Sequence, residues 1–193
     1  LLAALALALA AWRRDDAPTR LVQLEGHGRQ DDLVPGADTA RTVGWFTAVF
    51  PVRLDLTGLD IAEALRGGPA AGEAILRVKE HLAGVPDHGA SYGLLRHGAD
   101  DDARDALRWT PQISFAHLGR TTTDTGDWLP VPDVSPLSVP RPEDLGAAAV
   151  LEIDTVVLGD ALIARLSTLD AALADADVEA FVSLWVEAAT AVA

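Results

Sequence analysis

A lone carboxylate held between an apolar run and a pair of glycines, Leu24-Glu25-Gly-His-Gly-Arg29, is where this chain is best equipped for chemistry. The run Arg20–Leu24 delivers Glu25 into a glycine-flanked turn, in which backbone or substrate can come close. Burial beside Leu24 and Trp45 would raise the proton affinity of such a carboxylate and suit it to general acid/base work. His27 and Arg29 are spaced to orient it. Taken alone, these three also read as ordinary charges at a strand end or in a turn.

Further along, Arg41-Thr-Val-Gly-Trp-Phe-Thr47 sets Thr42, Trp45 and Phe46 just ahead of the apolar run Ala48–Leu56, which holds Phe50-Pro51. Trp45, Phe46 and Phe50 read equally as channel lining and as plain core. Tyr92, in Pro86-Asp-His-Gly-Ala-Ser-Tyr-Gly93, carries a phenol that can donate to a substrate oxygen or pack with its hydroxyl satisfied. His117 lies in Phe115-Ala-His-Leu-Gly119. Other chemistries find less support. Gly89-Ala-Ser-Tyr-Gly93 spells a hydrolase nucleophile elbow, but that turn needs a buried strand before it, and Val85-Pro-Asp-His88 is not one. His81, His88 and His97 lack the spacing of a helical zinc site. Asp100-Asp-Asp102 lacks the glycine and closing glutamate of a calcium loop. The chain has no cysteine, which excludes thiol nucleophiles, zinc–thiolate centres and disulfides.

The elements that must position these residues follow from periodicity. Leu1–Arg13 reads as a buried helix: it is too short for a membrane span of roughly 20 apolar residues and lacks the basic start of a secretory signal. Strands are expected at Thr19–Glu25, Val49–Leu56 and Gln112–Leu118. A strand pair at Val150–Val157 and Leu162–Leu169 turns at Gly159-Asp160. Between them, Gln30–Thr39 reads as a loop and Ala70–Ala83 as a helix ended by Pro86–Gly89. A short helix covers Ser91–His97, and Gly98–Asp102 reads as a turn capping a helix through Leu107. Thr121–Asp144, with five prolines, reads as a long surface arm. Asp177 is placed to cap a last amphipathic helix carrying Phe181 and Trp185. Strands and helices interleave, which predicts an α/β sandwich with helices packed against one sheet.

At 193 residues, one well-cored domain spanning 1–193 is expected. Fifteen basic against 29 acidic residues leave a formal charge of −14, which argues against nucleic acid and anionic membrane surfaces as partners. The absence of cysteine fits a cytoplasmic location. The chain opens on Leu1 and has no methionine, and so reads as a fragment or a processed product.

Taken in order, the four motifs resemble those of epimerization domains of nonribosomal peptide synthetases, a branch of the condensation-domain superfamily. Glu25-Gly-His-Gly-Arg29 is similar to the glutamate motif, with Gln30 where an acid is usual. Arg41–Thr47 leading to Phe50-Pro51 resembles the second motif, whose Trp-Phe-Thr differs from the Phe-x-Asn-Thr of peptide-bond-forming members. Pro86–Gly93 resembles the third, with Ser91 in place of a glycine. Phe115–Gly119 resembles Phe-Asn-Tyr-Leu-Gly, with Ala116 and His117 at the Asn and Tyr positions. The resemblance implies one lobe of a V-shaped pair, each lobe like chloramphenicol acetyltransferase with helices on a mixed β-sheet. This chain would be the C-terminal lobe, with the N-terminal lobe absent. It further implies inversion of the α-carbon of an aminoacyl or peptidyl thioester, with Glu25 as acid/base. His27, Arg29, Thr42, Trp45, Tyr92 and His117 would line the substrate and phosphopantetheine channel. The opposing group would come from a His-His-x-x-x-Asp-Gly motif of the N-terminal lobe, so the chain alone would be inactive. No metal or resident cofactor is implied beyond the phosphopantetheine on a partner peptidyl carrier protein. The bare seam toward the missing lobe would favour self-association. A condensation-type acyltransferase lobe and a degenerate docking lobe remain alternatives, the latter favoured by Ala116 and His117.

Overall fold

The Leu/Ala run folds as helix α1 (Leu2–Trp12), buried on every side from Ala3 to Leu9. Leu and Ala are strong helix formers, and a helix apolar all round must lie inside. The computed structural model describes residues 1–12, 19–27, 29–98, 101–121, 149–169 and 172–193. Arg13, Ala99, Asp100 and the proline-rich arm after Thr121 lie outside them. Strand β1 (Thr19–His27) leads to β2 (Thr47–Asp55), the short helix α2 (Ile61–Leu65) and α3 (Pro69–Ala83). Then come α4 (Ala90–Gly98), α5 (Asp101–Ala106), β3 (Ile113–Thr121), β4 (Leu151–Leu158), β5 (Ala161–Thr168) and α6 (Asp175–Ala191).

The five strands form one mixed sheet in the order β2-β1-β3-β4-β5. β1 runs antiparallel to β2, β3 runs parallel to both β1 and β4, and β5 returns antiparallel beside β4. Alternation places Val22, Leu24, Phe50, Val52, Leu54, Phe115, Leu151 and Ile153 on one face, all buried under the helices. On the other face Leu21, Glu25, Val49, Arg53 and Asp154 are exposed among the described residues. α1 packs against α6, α2 and α3 above the sheet. Aromatic rings tie these layers together: Trp12 lies 5.2 Å from Phe181, Phe181 stacks on Trp185 at 6.2 Å, and Trp185 meets Phe115 edge-on at 6.3 Å. The fold is the expected α/β sandwich lobe, helices on one face of a mixed sheet.

Three local expectations need correction. Glu25 does not sit in a turn: β1 continues through it, pairing Glu25 with Val49, Gly26 with Ala48 and His27 with Thr47. α6 starts at Asp175 after Ala174, with no side-chain cap, so Asp177 acts from within the first turn on the helix dipole. Helix α2 was not anticipated, although Asp60-Ile-Ala-Glu63 announces it. Asp60 accepts the Glu63 N–H at 2.9 Å, and the Glu63 carboxylate accepts the Ala70 N–H at 2.7 Å, joining α2 to the start of α3.

Gly26 of the first motif and Gly89 of the third share one physical cause, the ring of Phe50. A Cβ on Gly26 would stand 2.9 Å from that ring, and one on Gly89 would stand 1.9 Å from it. Gly89 also has φ +88, ending a 3-10 turn in which Asp87 and His88 are left-handed as well. Gly89→Ala is expected to cost about 2–4 kcal/mol from overpacking and backbone strain. Gly93→Ala, in the open middle of α4, should gain about 0.5–1 kcal/mol. Urea midpoints of the two variants check both signs.

β2 ends at Asp55, whose carboxylate accepts the Thr57 hydroxyl at 2.6 Å and the Thr57 N–H at 2.9 Å. These bonds, the hydroxyl first, push its pKa from 3.8 to about 2. The fold thus favours the ionised form, so the stabilisation is complete above 3.8 and is lost as pH falls through about 2. Comparing urea midpoints of the wild type and Asp55→Asn tests this. Their difference should hold near neutrality and shrink toward pH 2 (about), and a gap that persists in acid would count against the assignment.

Candidate active site

β1 and β3 are paired only from Val22–Leu24 to Ile113–Phe115. Beyond that ladder, Glu25 continues beside β2, while Ala116 and His117 continue beside β4, opposite Asp154 and Thr155. The two parallel strands therefore separate at their carboxyl ends, the place where open α/β sheets bind ligands. A cleft of about 480 Å³ opens there, lined by Glu25, Gly44–Thr47 and Ala116–Gly119. Three motifs distant in sequence meet in it.

A bulge shapes its far wall. The β3–β4 register slips between His117 and Arg120, and Gly119 has φ +80 with open space around its missing Cβ. Glycine is needed there for the backbone angle, and such bulges re-aim side chains beside sites. Leu24 and Phe115 are partners in register and both face the helices. By alternation Glu25 leaves on the opposite face and His117 returns to the helix face. Consistent with this, His117 also borders an apolar cavity with Val78, Leu82 and Phe115, which Glu25 does not reach. His117 Nδ1 lies 2.9 Å from Thr155 Oγ1, and Thr155 donates to the Ala116 carbonyl at 3.0 Å.

Of the residues singled out by sequence, Glu25, Trp45 and His117 come together in the cleft. Glu25 is exposed and Trp45 is 88% exposed, so the expected burial of the carboxylate is not met within this chain. Phe50 is core rather than channel lining. Arg29 lies over the Phe46 ring at 4.1 Å and donates to the Thr39 carbonyl, bracing the Gln30–Thr39 loop against the cleft wall. In the same loop Asp31 accepts the Thr39 hydroxyl at 2.6 Å and N–H at 3.1 Å, which hold its carboxyl below its ordinary range, with Arg29 adding to the effect. Thr42 sits exposed in a turn with its N–H on Thr39 O, outside the cleft lining. Tyr92 is also outside: its hydroxyl accepts from Arg96 at 2.7 Å, and Arg96 bonds Leu107 O and Thr110, tying α4 to the segment after α5. His27 pairs with Thr47 through its backbone, and its side chain lies outside the described residues. Ser91 follows a 3-10 turn and no strand, so no nucleophile elbow forms. Thr155 was overlooked, although a threonine at a core position of the alternating Leu151, Ile153, Thr155 pattern is a visible signal. Among the described residues no three His, Asp or Glu side chains converge as a metal site, and no helix is long and apolar enough to cross a membrane.

No family model matches the chain. It is 42% identical over 147 residues to chondramide synthase cmdD of Chondromyces crocatus, covering 76% of this chain and 3% of that protein. The chain therefore spans a small part of that curated relative's length. The fold is similar to the crystal structure of the epimerization domain from the third module of tyrocidine synthetase B. There the TM-score is 0.76 at 23% identity, over 99% of this chain and 40% of that one. The starter condensation domain of the rhizomide synthetase aligns with TM-score 0.57 at 14% identity, over 99% and 41% of the two chains. In sequence the chain is thus similar to a part of such a synthase, and its fold is that of the epimerization and condensation domains of nonribosomal peptide synthetases.

Proposed function

We propose that this lobe serves stereoinversion, exchanging the α-proton of an aminoacyl or peptidyl thioester carried on phosphopantetheine by a peptidyl carrier protein. The observation that carries the reading is the convergence of Glu25, Trp45 and the Ala116–Gly119 segment on one cleft between parting parallel strands. An α-C–H next to a thioester is acidified by the carbonyl, so the reaction needs a base at the carbon and stabilisation of an enolate-like oxygen. Glu25 is the carboxylate in the cleft and supplies the acid/base function. Because Glu25 and Trp45 are exposed here, the water-poor setting such chemistry calls for is provided by a second, N-terminal lobe closing over them. The carrier's phosphopantetheine arm reaches the cleft along that closure, and the chain needs no cofactor of its own. With a formal charge of −14, attraction to an acidic carrier is local rather than long-range.

The test uses the synthetase that carries this chain, loaded with an L-aminoacyl thioester in heavy water. Deuterium at the α-carbon and a mixture of L and D products are expected. Amide-bond formation between two loaded carriers with no α-exchange would instead identify a condensation lobe, and carrier binding with neither reaction a docking lobe.

A further inference from the structure

Helix α3 turns one stripe, Ile75, Val78, Lys79 and Leu82, toward the end of the sheet, at the i, i+3, i+4, i+7 spacing of a single helix face. The stripe does not close on the strands. A cavity of about 630 Å³ remains between it, the start of α1, and Phe115 and His117 of β3. Small-molecule sites span roughly 300–1,000 Å³ and are mostly apolar with a few polar groups. This lining matches that description, with Lys79 and His117 as its polar side chains. Val78, Phe115 and Ala3 are buried and make the inner wall, and Phe115 is held edge-on against Trp185. Ile75, 40% exposed, stands at the mouth.

Continuity with the cleft at Glu25 is the second observation. His117 lines both spaces, whereas Glu25 lines only the cleft. A substrate that holds its α-carbon beside Glu25 therefore has the apolar space next to it, on the helix side of His117. The inner wall presents no side-chain donor or acceptor. An aliphatic or aromatic group gains by leaving water there, while an amide or carboxylate gives up its hydration with no partner in return.

We propose that this cavity receives the side chain carried on the substrate's α-carbon and selects a large aliphatic or aromatic one; this rests on the stereoinversion reading above. Ile75, Val78, Leu82 and Phe115 are its specificity residues. A leucyl or phenylalanyl group fills the space against them and is held while the α-carbon reacts. An alanyl thioester brings only a methyl group and leaves the cavity unfilled. An asparaginyl group has nearly the shape of leucyl, but its amide meets the apolar inner wall.

The experiment follows α-deuterium uptake by the complete synthetase in heavy water, its carrier loaded separately with L-leucyl, L-asparaginyl or L-alanyl phosphopantetheine. The leucyl thioester is expected to exchange at least about 10-fold faster than either of the others, the scale on which an apolar pocket discriminates. The electron-withdrawing amide does not make the asparaginyl α-proton less acidic, so its slower exchange reports the pocket. Ile75→Trp, which sets a ring in the mouth, should bring the leucyl-to-alanyl ratio toward one, and Ile75→Ala should keep leucyl ahead of asparaginyl. An unchanged ratio in folded Ile75→Trp overturns the proposal, and an apolar segment of the N-terminal lobe then becomes the occupant. Should that variant not fold, the wild-type ranking decides: equal rates, or asparaginyl ahead of leucyl, overturn the proposal while the stereoinversion reading stands. Exchange in none of the three thioesters removes both.

Discussion

Glu25→Gln is expected to reduce L-to-D conversion by about 10²- to 10⁴-fold, the range over which a positioned proton-transfer group acts. Glutamine matches the shape of glutamate and keeps an acceptor oxygen, but at ordinary pH it neither takes nor releases a proton. The side chain stands exposed at the cleft, and its backbone remains paired with Val49, so the exchange removes chemistry and leaves packing alone. Stability should therefore stay within about 0.5 kcal/mol of the wild type, as for other exposed substitutions. Chiral analysis of the released amino acid gives the rate, and a urea titration on the same preparation gives the stability. Conversion within a few-fold of the wild type would remove Glu25 from the reaction. A large loss of stability would point to a structural role for it.

The largest expected loss of stability belongs to Phe181→Ala. Phe181 is 0% exposed and lies between the rings of Trp12 and Trp185, which themselves link α1 and α6 to Phe115 of the sheet. Truncation removes the apolar burial of a whole ring, leaves a cavity, and breaks two ring contacts at once. Such changes cost about 3–5 kcal/mol, a large share of the 5–15 kcal/mol that typical domains possess. Thermal or urea unfolding followed by tryptophan fluorescence measures it, and a loss below about 1 kcal/mol would contradict this account of the core.

Local pattern made much of this architecture legible. Leu151, Ile153 and Thr155 alternate with Glu152 and Asp154 in the strand before Gly159-Asp160, and α3 repeats Ala71, Ala74 and Val78 at helical spacing behind Pro69. What local pattern hides is whatever depends on a distant partner. Gly26 reads as part of a turn because glycine usually marks one. Here it lies within β1, paired with Ala48, and is glycine because the Phe50 ring occupies the space a Cβ would need. The strand order, with β1 inserted between β2 and β3, cannot be read from neighbouring residues. The cleft exists because of that order. Trp45 and His117 were legible as candidates by type. Tyr92 was equally so, and the structure ties its hydroxyl to Arg96 instead. The bond from Thr155 to the Ala116 carbonyl emerges only when β4 lies beside β3.

Helix α1 has a consequence for biosynthesis. Its seven consecutive buried residues, Ala3–Leu9, rest largely on α6, which the ribosome completes last within this stretch. Roughly 170 residues separate the two, and at 5–20 residues per second the wait lasts about 10–30 s. Through that interval an apolar segment has emerged without the surface that will cover it. The nascent lobe is thus a ready client for chaperones that hold apolar segments, and a codon-level slowdown ahead of α6 would lengthen its exposure.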